Sequence, residues 1–333
     1  MRKIALSFAI FVALLALAIP EQASAQNDLS WVSSTGSNSN PCTRAMPCAS
    51  LDVAVTKTNP GGEISCADEG DFGSGAETEI TKSITIDCEG VHGRYFVDAI
   101  NIGFFVNAGP NDVVVLRGLD IYGTNISLAG IEFAGGGTLR IEKCVIHDFS
   151  GPEIDKEGWG IVAQNATAPY ELFVSDTILA HNGTASSGGG ILISPTIANS
   201  INKVVLNRVE VRNNYFGIKA DGTQSFGGGV INMTIRDSVS SGNASNGIVG
   251  TGNSSGPAIL MMIDRSASSH NAAGFGVIAD GSKTTIRLGG SSIAGNINGV
   301  GVSNGGVLES YGTNQINGNS NDGIASLTPI GLH

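Results

Sequence analysis

Residues able to do chemistry are sparse in this chain, and the densest group is the stretch HDFSGPEIDKEGWG, His147 to Gly160. A carboxylate beside a histidine is the minimum for general acid–base work. Asp148 qualifies, because the repeat described below places it one coil from His181, with His147 and Arg212 a residue away from that column. These make Asp148, His181 and Arg212 the candidate catalytic set. In the rest of the stretch, Trp159 could stack on a sugar ring, and Glu153, Asp155 and Glu157 could supply oxygen ligands to Ca²⁺. Lys219 is a further candidate ligand contact. Set against this is a plainer reading, a solvated insertion whose tryptophan packs on the scaffold. No C-x-x-C pair or Cys/His cluster implies zinc, so no cofactor is expected from a motif.

What must hold these residues is a repeat. Leu116, Ile141, Val174, Leu206, Ile235, Ile263, Leu288 and Tyr311 form one column, at spacings of 23 to 33 residues. Eight residues after each stand Thr124, Phe149, Asn182, Asn214, Asn243, Asn271, Asn296 and Asn319. Glycine before a β-former follows, from Gly130-Ile131 to Gly323-Ile324. An irregular repeat of eight units signals a solenoid.

"LRGLDIYGT" fits a leucine-rich repeat, but "IRDSVSSGN" puts serine where that fold needs apolar knobs. With 47 glycines and no helical face after the asparagines, each unit reads as strands and turns. That predicts an all-β parallel β-helix of about ten coils, roughly 4.8 Å apart, with the asparagines bonded coil to coil. The column Lys143, Asp176, Arg208, Asp237, Arg265 alternates in sign, which predicts ion pairs between coils. Glu132, Val162, Leu192, Lys219, Val249 and Ile278, each following a Gly-Ile anchor, should point out of the solenoid. They form either a contact surface or a face covered by loops.

These coils resemble the right-handed β-helix of the pectin lyase-like superfamily. The segments "WVSSTGSNSNPCTRAMPCASLDVAV", "GGEISCADEGDFG" and "KSITIDCEGV" are similar to an exported bacterial group of such repeat proteins with no settled activity. The resemblance covers essentially the whole mature chain and implies a right-handed form. It does not extend to the pectate lyase or polygalacturonase active-site motifs, since an N-T-D, D-D, G-H-G and R-I-K set is missing.

The N-terminus sets the compartment. Arg2-Lys3, an apolar run from Ile4 to Ile19 and Ala23-Ser24-Ala25 read as a secretory signal peptide, residues 1–25. A disulfide-bearing cap with a short helix from Ser50 is expected over 26–62, and the β-helix over 63–333. Cys42–Cys48 and Cys66–Cys88 are the natural bridges in an oxidising compartment, though four cysteines allow three pairings. Cys144 occupies an inward position. A net charge of −11 with no basic stripe argues against nucleic acid. No later segment is long enough to span a membrane. The leading expectation is an exported, non-catalytic protein binding glycan or another surface partner; the alternative is a polysaccharide lyase or glycoside hydrolase.

Overall fold

The computed structural model describes residues 26–98, 100–151, 158–164 and 169–332. They wind into a parallel β-solenoid of about nine turns, close to the ten expected. Successive coils stack into three parallel sheets. The first has twelve strands, from Asn27–Val32 to Leu327–Pro329; the second has ten, from Gly70–Asp71 to Gln315–Ile316; the third has nine, from Thr78–Ile80 to Asn298–Ser303. Within a strand the burial alternates. In Ile201–Asn207 the even positions Asn202, Val204 and Leu206 face the lumen. One apolar core runs along that lumen from Val32 to Leu308.

Both sequence anchors fall into lateral register. Leu116, Ile141, Val174, Leu206, Ile235, Ile263 and Leu288 pair in order along the first sheet. Ile131, Ile161, Ile191, Ile218, Ile248, Val277 and Val300 do so along the third. The glycine before each isoleucine sits where the chain presses on its neighbour. A Cβ at Gly190 would lie 2.3 Å from Val211 Cγ1.

The eighth unit departs from the expected pattern. Leu288 pairs with Ser310, not Tyr311. A one-residue slip reverses which side chains face inward, so Ser310 is buried and the Tyr311 ring is turned out. After Gly323, Ile324–Ser326 forms a short 3-10 turn instead of a strand, with Ile324 exposed. The last strand ends on Pro329, which has no N–H to offer along that edge.

The asparagine column forms the expected ladder. Side-chain Nδ2 donates to the next Oδ1 from Asn182 to Asn214 at 3.0 Å, and so on through Asn243, Asn271, Asn296 and Asn319. Asp322 closes it, accepting from Asn319 at 2.9 Å. Left-handed geometry falls one residue before the ladder column, at Asp148, His181, Asn213 and His270, with φ of 55–63°. It recurs in the charged column, where Lys143, Asp176, Arg208, Asp237 and Arg265 have φ of 45–54°. There the prediction holds in part: two of the pairs form, while Lys143 bonds to Glu89 instead of Asp176. Arg208 binds Asp176 through two bonds of 2.6 and 2.7 Å, and Arg265 binds Asp237 through two of 2.9 and 3.0 Å. Exposed pairs of this kind contribute little to stability, because water and salt screen them. They fit a role in register more than in stability.

The N-terminal end is closed as expected. A helix, Leu51–Lys57, turns Leu51, Ala54 and Val55 onto the first coil. Its Ser50 hydroxyl donates to Asn38 Oδ1 at 3.2 Å rather than capping the helix. The segment expected as a separate cap also supplies Asn27–Val32, the first strand of the first sheet. Both bridges form, Cys42–Cys48 and Cys66–Cys88. Cys144 is buried and free, its thiol pushed up to about 12 by burial, which leaves it inert.

Candidate functional site

The outer face of the second sheet carries the site at its N-terminal end. Gly93–Phe96, Leu119–Tyr122, Val145–His147 and Ile178–Ala180 pair in sequence, so period-two alternation turns two rows outward. One row is Arg94, Asp120 and Val145; the other is Phe96, Tyr122 and His147. In the second row the rings stack along the solenoid axis. Tyr122 lies 4.8 Å from Phe96 and 5.8 Å from His147, centroid to centroid. The Arg94 guanidinium sits 4.5 Å above Tyr122, with Nε 3.7 Å from Asp120. The Tyr122 hydroxyl donates to Asp71 at 2.9 Å.

His147 is the centre of this cluster. Its Nε2 is 2.9 Å from Asp120 Oδ1 and its Nδ1 is 2.6 Å from Asp148 Oδ2. Two carboxylates can both be satisfied only if both ring nitrogens carry protons. The Asp120 bond raises the imidazole above its usual value, burial opposes, and the Asp148 bond adds to the rise. The sign of the resulting stability effect follows from the raised value. The contribution is fully present below the unfolded value, about 6.5, and is lost as pH climbs through the folded one. Denaturation midpoints are therefore expected to fall with rising pH across this window, and a His147→Gln variant should lack that part of the slope. An unchanged slope would contradict the clamp.

Asp148 also meets the next coil. Its Oδ1 is 4.0 Å from His181 Nδ1, within ion-pair reach but beyond a hydrogen bond, and Asn213 Nδ2 is 3.4 Å from His181 Nε2. Asp148 and His181 are the open end of the cluster, with side chains 53 % and 55 % exposed. Both are held in left-handed geometry, which costs a non-glycine residue about 1 kcal/mol or more.

The other sequence-predicted residues stand elsewhere. Arg212 pairs with Glu210 on its own strand at 2.6 Å, one coil beyond His181, and joins neither member of the proposed set. Lys219 is engaged by Asp221 at 3.0 Å and lies over the Phe216 ring. Trp159 is packed rather than presented. It is 3 % exposed, and its ring stacks parallel to Phe216. Around it Val162, Leu192 and Ala129 form a second apolar cluster on the third sheet's outer face. That settles the outward stripe as a covered face, since Val162, Leu192 and Val249 are all under 5 % exposed. Glu153, Asp155 and Glu157 lie outside the described residues. Among the described residues no three His, Cys, Asp or Glu side chains are grouped to hold a metal ion.

Asp120, Arg94, Tyr122 and Asp71 were not foreseen. One signal was available: Tyr122 and His147 each lie six residues beyond a repeat anchor, Leu116 and Ile141. The arrangement can hold a proton on His147 and offer mixed donors and acceptors to a hydroxyl-rich ligand.

No family model and no curated protein matches the sequence. Among solved structures, pectate lyase Pel9A aligns at a TM-score of 0.52 with 16 % identity, over 88 % of this chain and 79 % of its own. A rhamnogalacturonan lyase aligns at 0.52 with 13 % identity, over 81 % and 75 %. At such identities the likeness concerns the path of the backbone. The coils, the asparagine ladder and these alignments together make the chain a right-handed parallel β-helix of the pectin lyase-like fold.

Proposed function

We propose that the protein is exported and binds glycan, without cleaving it, on the outer face of the second sheet at Asp71, Arg94, Asp120, His147, Asp148 and His181. One observation carries this reading: both nitrogens of His147 are taken by carboxylates. A general base needs a free lone pair, and a general acid needs a proton aimed at a substrate. The clamped imidazole offers neither. What remains is a bed of paired donors and acceptors, suited to sugar hydroxyls. Two disulfides fit an oxidising compartment, and the leader expected over residues 1–25 would deliver the chain there.

A second reading, a polysaccharide lyase or glycoside hydrolase, is favoured by the 4.0 Å approach of Asp148 and His181 alone. The mature chain should be screened on a glycan array, with release of reducing ends and unsaturated products followed in parallel. Retention without turnover supports binding. Product release that disappears in Asp148→Ala would establish the second reading and end the first.

A further inference from the structure

Beside the His147 cluster lies an open depression of about 440 Å³. One wall is the turn from Cys88 to Gly93, tied to the preceding coil by the Cys66–Cys88 bridge. That turn folds back so closely that a Cβ on Gly93 would come within 2.6 Å of Cys88 Sγ. The other wall is the second sheet itself, through Asp120 and Val145. Asp120 thus belongs to both features, with one oxygen on His147 and its outer edge in the depression.

We infer that this depression is a subsite for one uncharged sugar residue of the glycan. The inference rests on the binding reading and narrows it. Glu89, His92, Asp120 and Lys143 offer donors and acceptors, and Val91 and Val145 supply apolar surface for the C–H face of a ring. The charge balance of the described lining disfavours a uronate. Lys143, the fixed cation in the lining, is bonded to Glu89. The nearby Arg94 and His147 both face Asp120. A sugar carboxylate would meet Glu89 and Asp120 with no unspent fixed cation among the described residues to receive it, on a chain of net charge −11.

The test is retention of the mature chain on matched oligosaccharides, uncharged oligogalactan and oligogalacturonate. Val145 is 36 % exposed, so Val145→Trp fills the depression at little risk to folding, which a melting curve checks. Ser269→Trp, on the His147 row four coils along, is the control. Retention of the uncharged ligand should be salt-insensitive, fall about tenfold in Val145→Trp and persist in Ser269→Trp. Glu89→Gln removes a carboxylate and frees Lys143, and should admit oligogalacturonate. If the parent prefers oligogalacturonate, or if Val145→Trp retains the uncharged ligand fully, the subsite is wrong while glycan binding stands. If neither ligand, nor any glycan on the array, is retained, the binding reading falls and the subsite with it.

Discussion

Replacing Asn243 by alanine should lower the stability of the solenoid by about 3 kcal/mol, seen as a reduced urea midpoint at unchanged slope. Asn243 is fully buried at the middle of the ladder. Its Oδ1 accepts from both the Asn214 backbone N–H, at 3.1 Å, and the Asn214 side chain, at 3.3 Å. Its Nδ2 donates to Asn271 Oδ1 at 2.9 Å and to Ser240 Oγ at 3.1 Å. Alanine fills none of these roles, so a buried backbone donor is stranded on one side and a side-chain acceptor weakened on the other. Asn232 is exposed on the first sheet, and the same change there should alter stability by under about 0.5 kcal/mol. Comparable losses at both positions would mean that the ladder is not what holds the turn.

The second large effect concerns the bridge from Cys66 to Cys88. Changing both residues to alanine should cost about 3 kcal/mol, because the bridge closes a loop of 22 residues that is otherwise free in the unfolded chain. The Cys42–Cys48 bridge spans six, so its loss should cost about 1 kcal/mol less by the same loop-closure argument. The two removals should differ more sharply in function. The Cys66–Cys88 bridge positions the wall of the depression beside Asp120, whereas Cys42–Cys48 belongs to the N-terminal turn. Glycan retention should therefore drop in the first double variant below the melting temperature and persist in the second. Equal retention in both would separate the bridge from the binding face.

Much of the scaffold was legible before any coordinates. The apolar columns, the asparagines and the Gly-Ile anchors predicted the register of seven coils, because each position meets its own counterpart one coil away. The reading failed at Tyr311 and Ile324, in the eighth unit. There a slip of one residue leaves the sequence pattern almost unchanged but turns Ser310 inward and Tyr311 outward.

The site divides along the same line. Asp148 and His181 could be brought together on paper, because they share a column and adjacent coils. Arg94 could not, since it lies on an earlier coil without the asparagine and Gly-Ile anchors, and Asp120, four residues after the Leu116 anchor, carries no sign in the sequence that it reaches His147. Trp159 shows the limit most plainly. Its ring lies on the outer side although Ile161, two residues on, faces the lumen, and whether an outer ring is open or covered depends on what lies over it. Here it is covered, and Phe216, two coils along in the third sheet, takes its face.

By itself, then, the sequence determined the β-helix, the inward and outward sense of most positions and the alternating charge column. These follow from strand alternation and coil spacing, which are local or nearest-neighbour properties. Only the tertiary structure decided which partners the long side chains choose. His147 could have faced solvent, but it is clamped by Asp120 and Asp148; Arg212 could have joined them, but it turns to Glu210. Those choices depend on side-chain reach and on competing charges across several coils, which spacing along the chain does not encode.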